Sequence, residues 1–557
     1  MSERKDKIIR ITEYLFFLGI FLAVSLLTPF YGGKNKINDN YLISMVMSGS
    51  LGEGNTAIPW FNPVLTSIGS LIHQAMPAAD VFRLIQRSVV VISFAFGLYF
   101  TVFRKGSADI RATAVAGAFF TFFPLAFNIT NSNFTIAAAY CAAVGLYLAC
   151  ECHAGIQGAI CLFLGTLFRK EGALLVIPFF LLRQFFVIIR SADRKRETEG
   201  VLKKIVPMFI VMILAISPLE IRNASPEFSE IVKNDSDRSY LWDIAHLPYE
   251  ENEDTYRTAG ISKSEFKLST SLITGETTWF TKERIGYLAE QIKSVDQKKE
   301  KSGEAFANCL VLVPVAAKMF PIMAFALILG VVCIVADKKN APEMLLAVFG
   351  IGVITSFFYL TGRCNDRVGV PLAIAMIFET FALLKRGTDK KVDIFSYIPA
   401  ILAFAVFAAG PMLEIKPYQD PIHAVSSGWL SEHEEKKSVY VWDPHSLNAA
   451  LYSMYFGDGK IVSPEEMRKN IVTGDWYFSC PIYETYLRST GIANPVGSLT
   501  DENVYYVSVY EAEYADPICE FLNEISGVKV SKEKVGELNG AWIWKFRKDA
   551  DSYTKKR

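Results

Sequence analysis

Apolar runs close to twenty residues long recur along the chain, separated by short polar stretches. A helix of about 20 mainly apolar residues crosses about 30 Å of hydrocarbon. Residues 11–30 form the first such run, and others lie near 84–103, 108–128, 132–150, 156–168, 172–190, 203–219, 318–336, 341–360, 367–384 and 392–411. The pattern predicts eleven spanning helices, with 156–168 and 172–190 counted separately. A signal peptide has a shorter apolar core and a small-residue cleavage site, so the first run reads as an uncleaved span. Residues 61–76 are too short to cross and are flanked by prolines, which predicts a helix lying in the membrane interface.

Three polar regions interrupt this pattern: 31–83, an insertion at 220–305, and the tail 412–557. The tail alternates β-rich runs (SVYVWD, DWYFSC, NVYYVSV, AWIWKF) with amphipathic stretches (PIYETYLRST, DPICEFLNEI). Such alternation predicts a small α/β domain. The expected architecture is an α-helical polytopic membrane protein of about eleven transmembrane helices with a small α/β extracytoplasmic C-terminal domain. Its divisions are 1–411, carrying both outer insertions, and 412–557.

Basic residues give the expected sidedness, because Lys and Arg concentrate in cytoplasmic loops. From a cytoplasmic N-terminus, inside segments carry Arg4, Lys5, Lys7 and Arg10; Arg104, Lys105 and Arg111; Arg190, Arg194, Lys195 and Arg196; Lys338 and Lys339; and Lys385 and Arg386. The alternate loops are not basic, and an odd span count places the tail outside. Composition then gains meaning. Lys plus Arg number 57 and Asp plus Glu number 57, which excludes a free basic nucleic-acid binder. The insertion, with 17 acidic against 12 basic residues, and the tail are acidic, and the inside segments are basic. Nine cysteines show no C-x-x-C pair, so neither a zinc site nor a disulfide framework is indicated. Cys480 and Cys519 suit an external disulfide and two free buried thiols equally.

Candidate chemistry begins just after the first span, at Asn38-Asp39-Asn40-Tyr41. A carboxylate held near the membrane face can deprotonate an acceptor hydroxyl. Asp39 equally suits the N-cap of a helix starting near Tyr41. Two cationic groups fall at expected outer span junctions: Arg169-Lys170 with Glu171, and Arg363 with Arg367. Arginine meets phosphate oxygens bidentately, but cations at span ends also serve as anchors. Glu171 fits best as the ion-pair partner of Arg169. In the insertion, Arg238 and Asp243 could touch an acceptor or lock the fold. The run Glu250–Asp254 reads as a solvated loop, and Trp442, Trp476, Trp542 and Trp544 read as core. No residue set has metal-ligand spacing.

The first span, the acidic outer loop, the interfacial helix and the odd multispan core resemble the GT-C superfamily of membrane glycosyltransferases. The chain is more closely similar to a group of uncharacterised bacterial polytopic proteins assigned to that fold. Their first loop opens with an N-D-D-[YF]-type motif running into Ser-Gly, matched by Asn38, Asp39, Tyr41, Ser48 and Gly49. Their outer insertion has an Arg-Ser…Asp patch, matched by Arg238, Ser239 and Asp243, and a Gly-Ile-Ser turn, matched by Gly260, Ile261 and Ser262, with Trp279-Phe280-Thr281 downstream. The resemblance covers residues 10–410 and leaves the tail out. It implies an inverting, polyprenyl-phosphate-dependent sugar transfer on the outer face of a bacterial plasma membrane to a cell-envelope glycan or lipid. Asp39 would be the base, and Arg169, Arg363 or Arg367 the phosphate-binding group. Where that motif has a second acid, this chain has Asn40; if both carboxylates serve in the resembled group, for example to hold a divalent metal, the resemblance implies a chain that is either impaired or metal-independent. Two other classes fit the span pattern: a transporter or flippase of lipid-linked saccharide, and a non-catalytic envelope scaffold.

Overall fold

A computed structural model of the chain describes residues 40–52, 57–77, 79–103, 133–245, 248–271, 273, 281–296, 321–360, 366–385, 438–444, 446–447, 463–474, 476, 480–508, 514–538 and 541–549, with Leu15, Phe119, Ile398 and Leu402. In chain order the first helices are α1 (Asn40–Met47), α2 (Pro63–Ala75), α3 (Val81–Leu98), α4 (Phe134–Glu151), α5 (Gly155–Phe168), α6 (Lys170–Arg190) and α7 (Arg194–Asn223). The polar insertion contributes α8 (Pro226–Ser239), α9 (Glu253–Thr258), α10 (Lys263–Thr270) and α11 (Lys282–Asp296). Apolar helices resume as α12 (Pro321–Ala336), α13 (Ala341–Leu360) and α14 (Asp366–Lys385). The tail holds β1 (Val439–Trp442), α15 (Pro464–Lys469), β2 (Asn470–Val472), α16 (Pro481–Thr490), β3 (Val504–Ser508), α17 (Ala515–Ser526), β4 (Val530–Leu538) and β5 (Ala541–Lys548).

Contacts divide the chain into two units, one of 1–36, 83–220 and 301–416, the other of 37–82, 221–300 and 417–557. Among the described residues six helical stretches are long and apolar enough to cross a membrane: Val81–Thr101, Phe134–Glu151, Lys170–Arg190, Arg194–Asn223, Lys338–Tyr359 and Arg367–Leu384. Gly155–Phe168 and Ile322–Ala336 are shorter apolar helices. Expected spans 11–30, 108–128 and 392–411 lie almost wholly outside the described residues. The other expected spans each coincide with one of these helices.

In the first unit α4 is buried along its whole length. Along one seam it presents small residues, among them Ala138, Ala142, Gly145 and Ala149, and small residues let helix backbones approach closely. Gly158 and Gly165 of α5 and Gly172 of α6 lie against it. A Cβ at Gly165 would sit 2.6 Å from the Ala138 carbonyl oxygen, and one at Gly172 2.5 Å from that of Thr135. Only glycine fits such a seam. Helix α7 exposes Phe209, Ile210, Ile213 and Leu214, an apolar face suited to lipid.

The second unit carries a five-stranded sheet in the order β2-β1-β3-β5-β4. The β2-β1-β3 strands are parallel and β5 and β4 are antiparallel additions. The sheet shares one core with the insertion: Leu268, Ala289 and Ile292 pack in the same buried cluster as Ile518, Phe521 and Phe546. Lys267 of α10 also pairs with Glu520 of α17 at 2.6 Å. The expected α/β tail is present with two differences. Trp476, within the predicted run DWYFSC, lies in a helical turn, and the neighbouring strand is β2. β4 was not expected, because its charged residues mask a period-2 pattern on an edge strand. Trp442, Trp476 and Trp544 are buried as anticipated, and Trp442 Nε1 donates to Asn470 Oδ1 at 2.9 Å. Cys480 and Cys519 are free thiols.

Candidate functional site

The first unit gathers cations where three helices begin. Asn133 caps α4, its Oδ1 accepting the Thr135 N–H at 2.8 Å, and so fixes Phe134 as the first helical residue. Arg169 is extended (φ −160°, ψ 108°) and serves at once as the C-cap of α5 and the N-cap of α6. The predicted division between the two spans is therefore a single residue. The glycine seam brings this joint against the start of α4. The Arg169 guanidinium carbon lies 5.6 Å from the centre of the Phe134 ring, and that of Arg367, from the first turn of α14, lies 6.0 Å from the same ring. Two candidate phosphate-binding arginines from separate helices thus lie against one aromatic ring, where each gains a cation–π attraction.

The surrounding charges are partly solvated. Arg169 Nε pairs with Glu171 Oε2 at 2.8 Å, with side chains 22% and 49% exposed, so Glu171 is the arginine's partner as expected. Lys170 pairs with Glu220 of α7. The N-termini of α4, α6 and α14 add their partial positive charge at this end, which favours an anion there.

The remaining candidates belong to the second unit or fall outside the described residues. Asp39 and Arg363 are outside them, although α1 begins at Asn40, immediately after Asp39. Ser48-Gly49 ends α1, and Gly49 takes a left-handed φ of 67°, the conformation glycine adopts without strain. The short helix expected within 61–76 is present as α2. Asn62 caps it, accepting the Val64 N–H at 3.0 Å, and Pro63 is its first residue. Ile68 and Leu71 are exposed on it. One carboxylate there escaped the sequence reading: buried Asp80 accepts the Ser44 hydroxyl at 2.6 Å, joining α1 to the segment after α2.

Arg238 is buried and pairs with Asp235 at 3.2 Å, within α8. Asp243 lies in the π-helical turn Tyr240–Ala245 that follows. The Gly-Ile-Ser turn is a structural device. Gly260 has φ 70°, and Ser262 forms a capping box with Glu265, whose carboxylate also receives Arg284 at 3.0 Å from each of two nitrogens. Among the described residues no group of three His, Cys, Asp or Glu could hold a metal ion.

Sequence reading also missed a second charged cluster in the first unit. Arg183 and Arg190 of α6, Glu151 of α4 and Glu343 of α13 meet at the other end of the same helices, with Arg183 Nη1 to Glu343 Oε1 at 2.8 Å and Arg190 Nη1 to Glu343 Oε2 at 2.6 Å. A signal was available. Arg183 and Glu379 each interrupt an apolar run, and a charge inside a span needs a partner.

The described residues define a polytopic helical membrane protein with a small α/β domain. No protein-family model and no curated protein matches the chain. Among solved structures it is similar to the crystal structure of ArnT from Cupriavidus metallidurans in the apo state, with a TM-score of 0.39 and 10% sequence identity over 96% of this chain and 97% of that one.

Proposed function

We propose that the chain is a membrane glycosyltransferase of the GT-C type, moving a sugar from a polyprenyl-phosphate or polyprenyl-diphosphate donor to a cell-envelope glycan or lipid on the outer face of a bacterial plasma membrane. The observation that carries this reading is the meeting of Arg169 and Arg367 on Phe134 at a partly solvated end where three helices begin. The first-loop motif around Asp39 supports it independently. In the reaction the acceptor oxygen bonds to the anomeric carbon as the bond from that carbon to the phosphate oxygen breaks. The hydroxyl proton passes to the Asp39 carboxylate, the polyprenyl phosphate departs as an anion, and the anomeric carbon inverts. Arg169, Arg367 and Arg363 stabilise the departing phosphate, each such donor contributing about 10²-fold or more in rate. Asn40 replaces the second acid of the resembled motif, so Asp39 acts as base without a carboxylate pair to hold a metal. An Asp39→Asn protein that is inserted and folded, yet transfers sugar from a polyprenyl-phosphate donor as fast as wild type, contradicts the proposal.

A transporter or flippase of lipid-linked saccharide is a second reading, favoured by the charges buried among the apolar helices at Arg183 and Glu343. Reconstituted vesicles separate the two: sugar transfer without net lipid translocation supports the enzyme, and translocation without transfer supports the carrier.

A further inference from the structure

The first unit has an apolar groove that the proposed transfer does not use. Leu146 and Cys150 of α4, Phe180 and Leu181 of α6, and Met208 and Met212 of α7 line it. The polar side chain beside them, Gln184, gives its amide to Glu151 at 3.2 Å. The lining stretch of α7, Ile205 to Met212, spans about 10 Å at about 1.5 Å per residue. The groove is open at its side, because Leu181 and Phe209, which both line it, are each 41% exposed. An apolar space of this kind takes an apolar filler in preference to water, and between spanning helices that filler is an acyl chain.

A cation at the mouth sets this groove apart from an ordinary lipid-facing surface. Lys204, Met208 and Met212 follow at four-residue spacing on one face of α7, so the lysine continues the lining stripe. Its Nζ donates to the carbonyl of Cys150, itself a lining residue, at 2.9 Å. Among the described residues no carboxylate pairs with Lys204. The helix carries the charge further out: Arg194, Lys195, Arg196 and Lys203 are exposed and join no ion pair among the described residues, with Glu197 and Glu199 the acids between them. Basic clusters directly beside a span attract anionic lipids, and basic pockets between helices take their phosphates. We infer that the groove and its basic mouth bind an anionic phospholipid, one acyl chain lying between α4, α6 and α7 and the phosphate at Lys203 and Lys204. The site lies at the end of α6 and α7 opposite the Arg169 joint, the end that the basic pattern makes cytoplasmic. Its ligand is therefore a lipid of that leaflet and not the sugar donor, and the inference stands independently of the proposed transferase activity.

Native mass spectrometry of the detergent-solubilised full chain, incubated with phosphatidylglycerol or with phosphatidylcholine of the same acyl chains, tests this. Wild type should retain one phosphatidylglycerol in preference to phosphatidylcholine. Each lysine beside a lipid phosphate contributes about fivefold in affinity. Lys203→Gln with Lys204→Gln should therefore lower phosphatidylglycerol retention about 30-fold, with phosphatidylcholine retention and the thermal midpoint unchanged. Arg169→Gln with Arg367→Gln, at the other end of the helices, should keep the wild-type preference. Glycerol phosphate, an anion without a chain, should not displace the lipid. Equal retention of the two lipids by wild type overturns the inference. So does a lysine variant that keeps the preference or loses both lipids alike, an arginine variant that loses the preference, or displacement by glycerol phosphate.

Discussion

The two ends of the helices α4, α6 and α14 carry charges in opposite styles. At the Phe134 end, Arg169 and Arg367 share a ring, and the Arg169–Glu171 and Lys170–Glu220 pairs beside them are partly solvated. At the Glu343 end, Arg183 and Glu343 are 1% and 0% exposed and are tied into one network. The difference lies in what each end can still bind. A solvated pair contributes little to stability because water competes for both partners, so its members can exchange a partner for a ligand phosphate at small penalty. A buried pair is expensive to open because an uncompensated charge is left in a low-dielectric site. The first end therefore suits ligand exchange, and the second suits holding the helices.

Variants that break this contrast differ in size. Arg183→Ala leaves Glu343 and Glu151 short of a cation and should destabilise the protein by about 3–5 kcal/mol, read from thermal unfolding in detergent. An unchanged midpoint would make the buried end equivalent to the solvated one. Replacing Arg169 or Arg367 with Ala should leave that midpoint nearly unmoved while lowering sugar transfer about 10²-fold, measured with saturating acceptor. Between these lies Gly172→Ala. Its Cβ would meet the Thr135 carbonyl oxygen at 2.5 Å, forcing α6 away from α4 at the joint that carries Arg169. A loss of about 1–3 kcal/mol is expected, together with reduced transfer. The smallest effect belongs to Glu220→Gln, which breaks the solvated pair with Lys170 and should change stability by under about 1 kcal/mol, and less in high salt.

The same contrast separates what was legible in the sequence from what was not. Apolar run length was enough for the apolar helices that are described, and the Arg169-Lys170-Glu171 break marked the joint between α5 and α6, because span ends are set by local composition. The pairing of Arg169 with Glu171 was legible too, being two residues apart. The meeting of Arg169 with Arg367 on Phe134 was less so, since it depends on glycines closing the α4 seam between residues far apart in the chain. The cluster of Arg183, Glu343, Glu151 and Glu379 was missed. Each member sits alone in its own apolar run, and only tertiary packing shows that the charges answer one another. In the second unit, Asp80 was hidden for the same reason, its partner Ser44 lying 36 positions away. β4 was hidden by its charged edge residues, whereas β1, β3 and β5 were readable from their buried aromatic and β-branched residues.

The central claim is that the Phe134 end takes the phosphate of a lipid-linked sugar donor. Native mass spectrometry of the full chain, released from detergent after incubation with a polyprenyl phosphate, tests it most directly. Wild type should retain one polyprenyl phosphate, and a chain carrying Arg169→Gln with Arg367→Gln should lose it while remaining as thermally stable as wild type. Equal retention by both proteins would contradict the account.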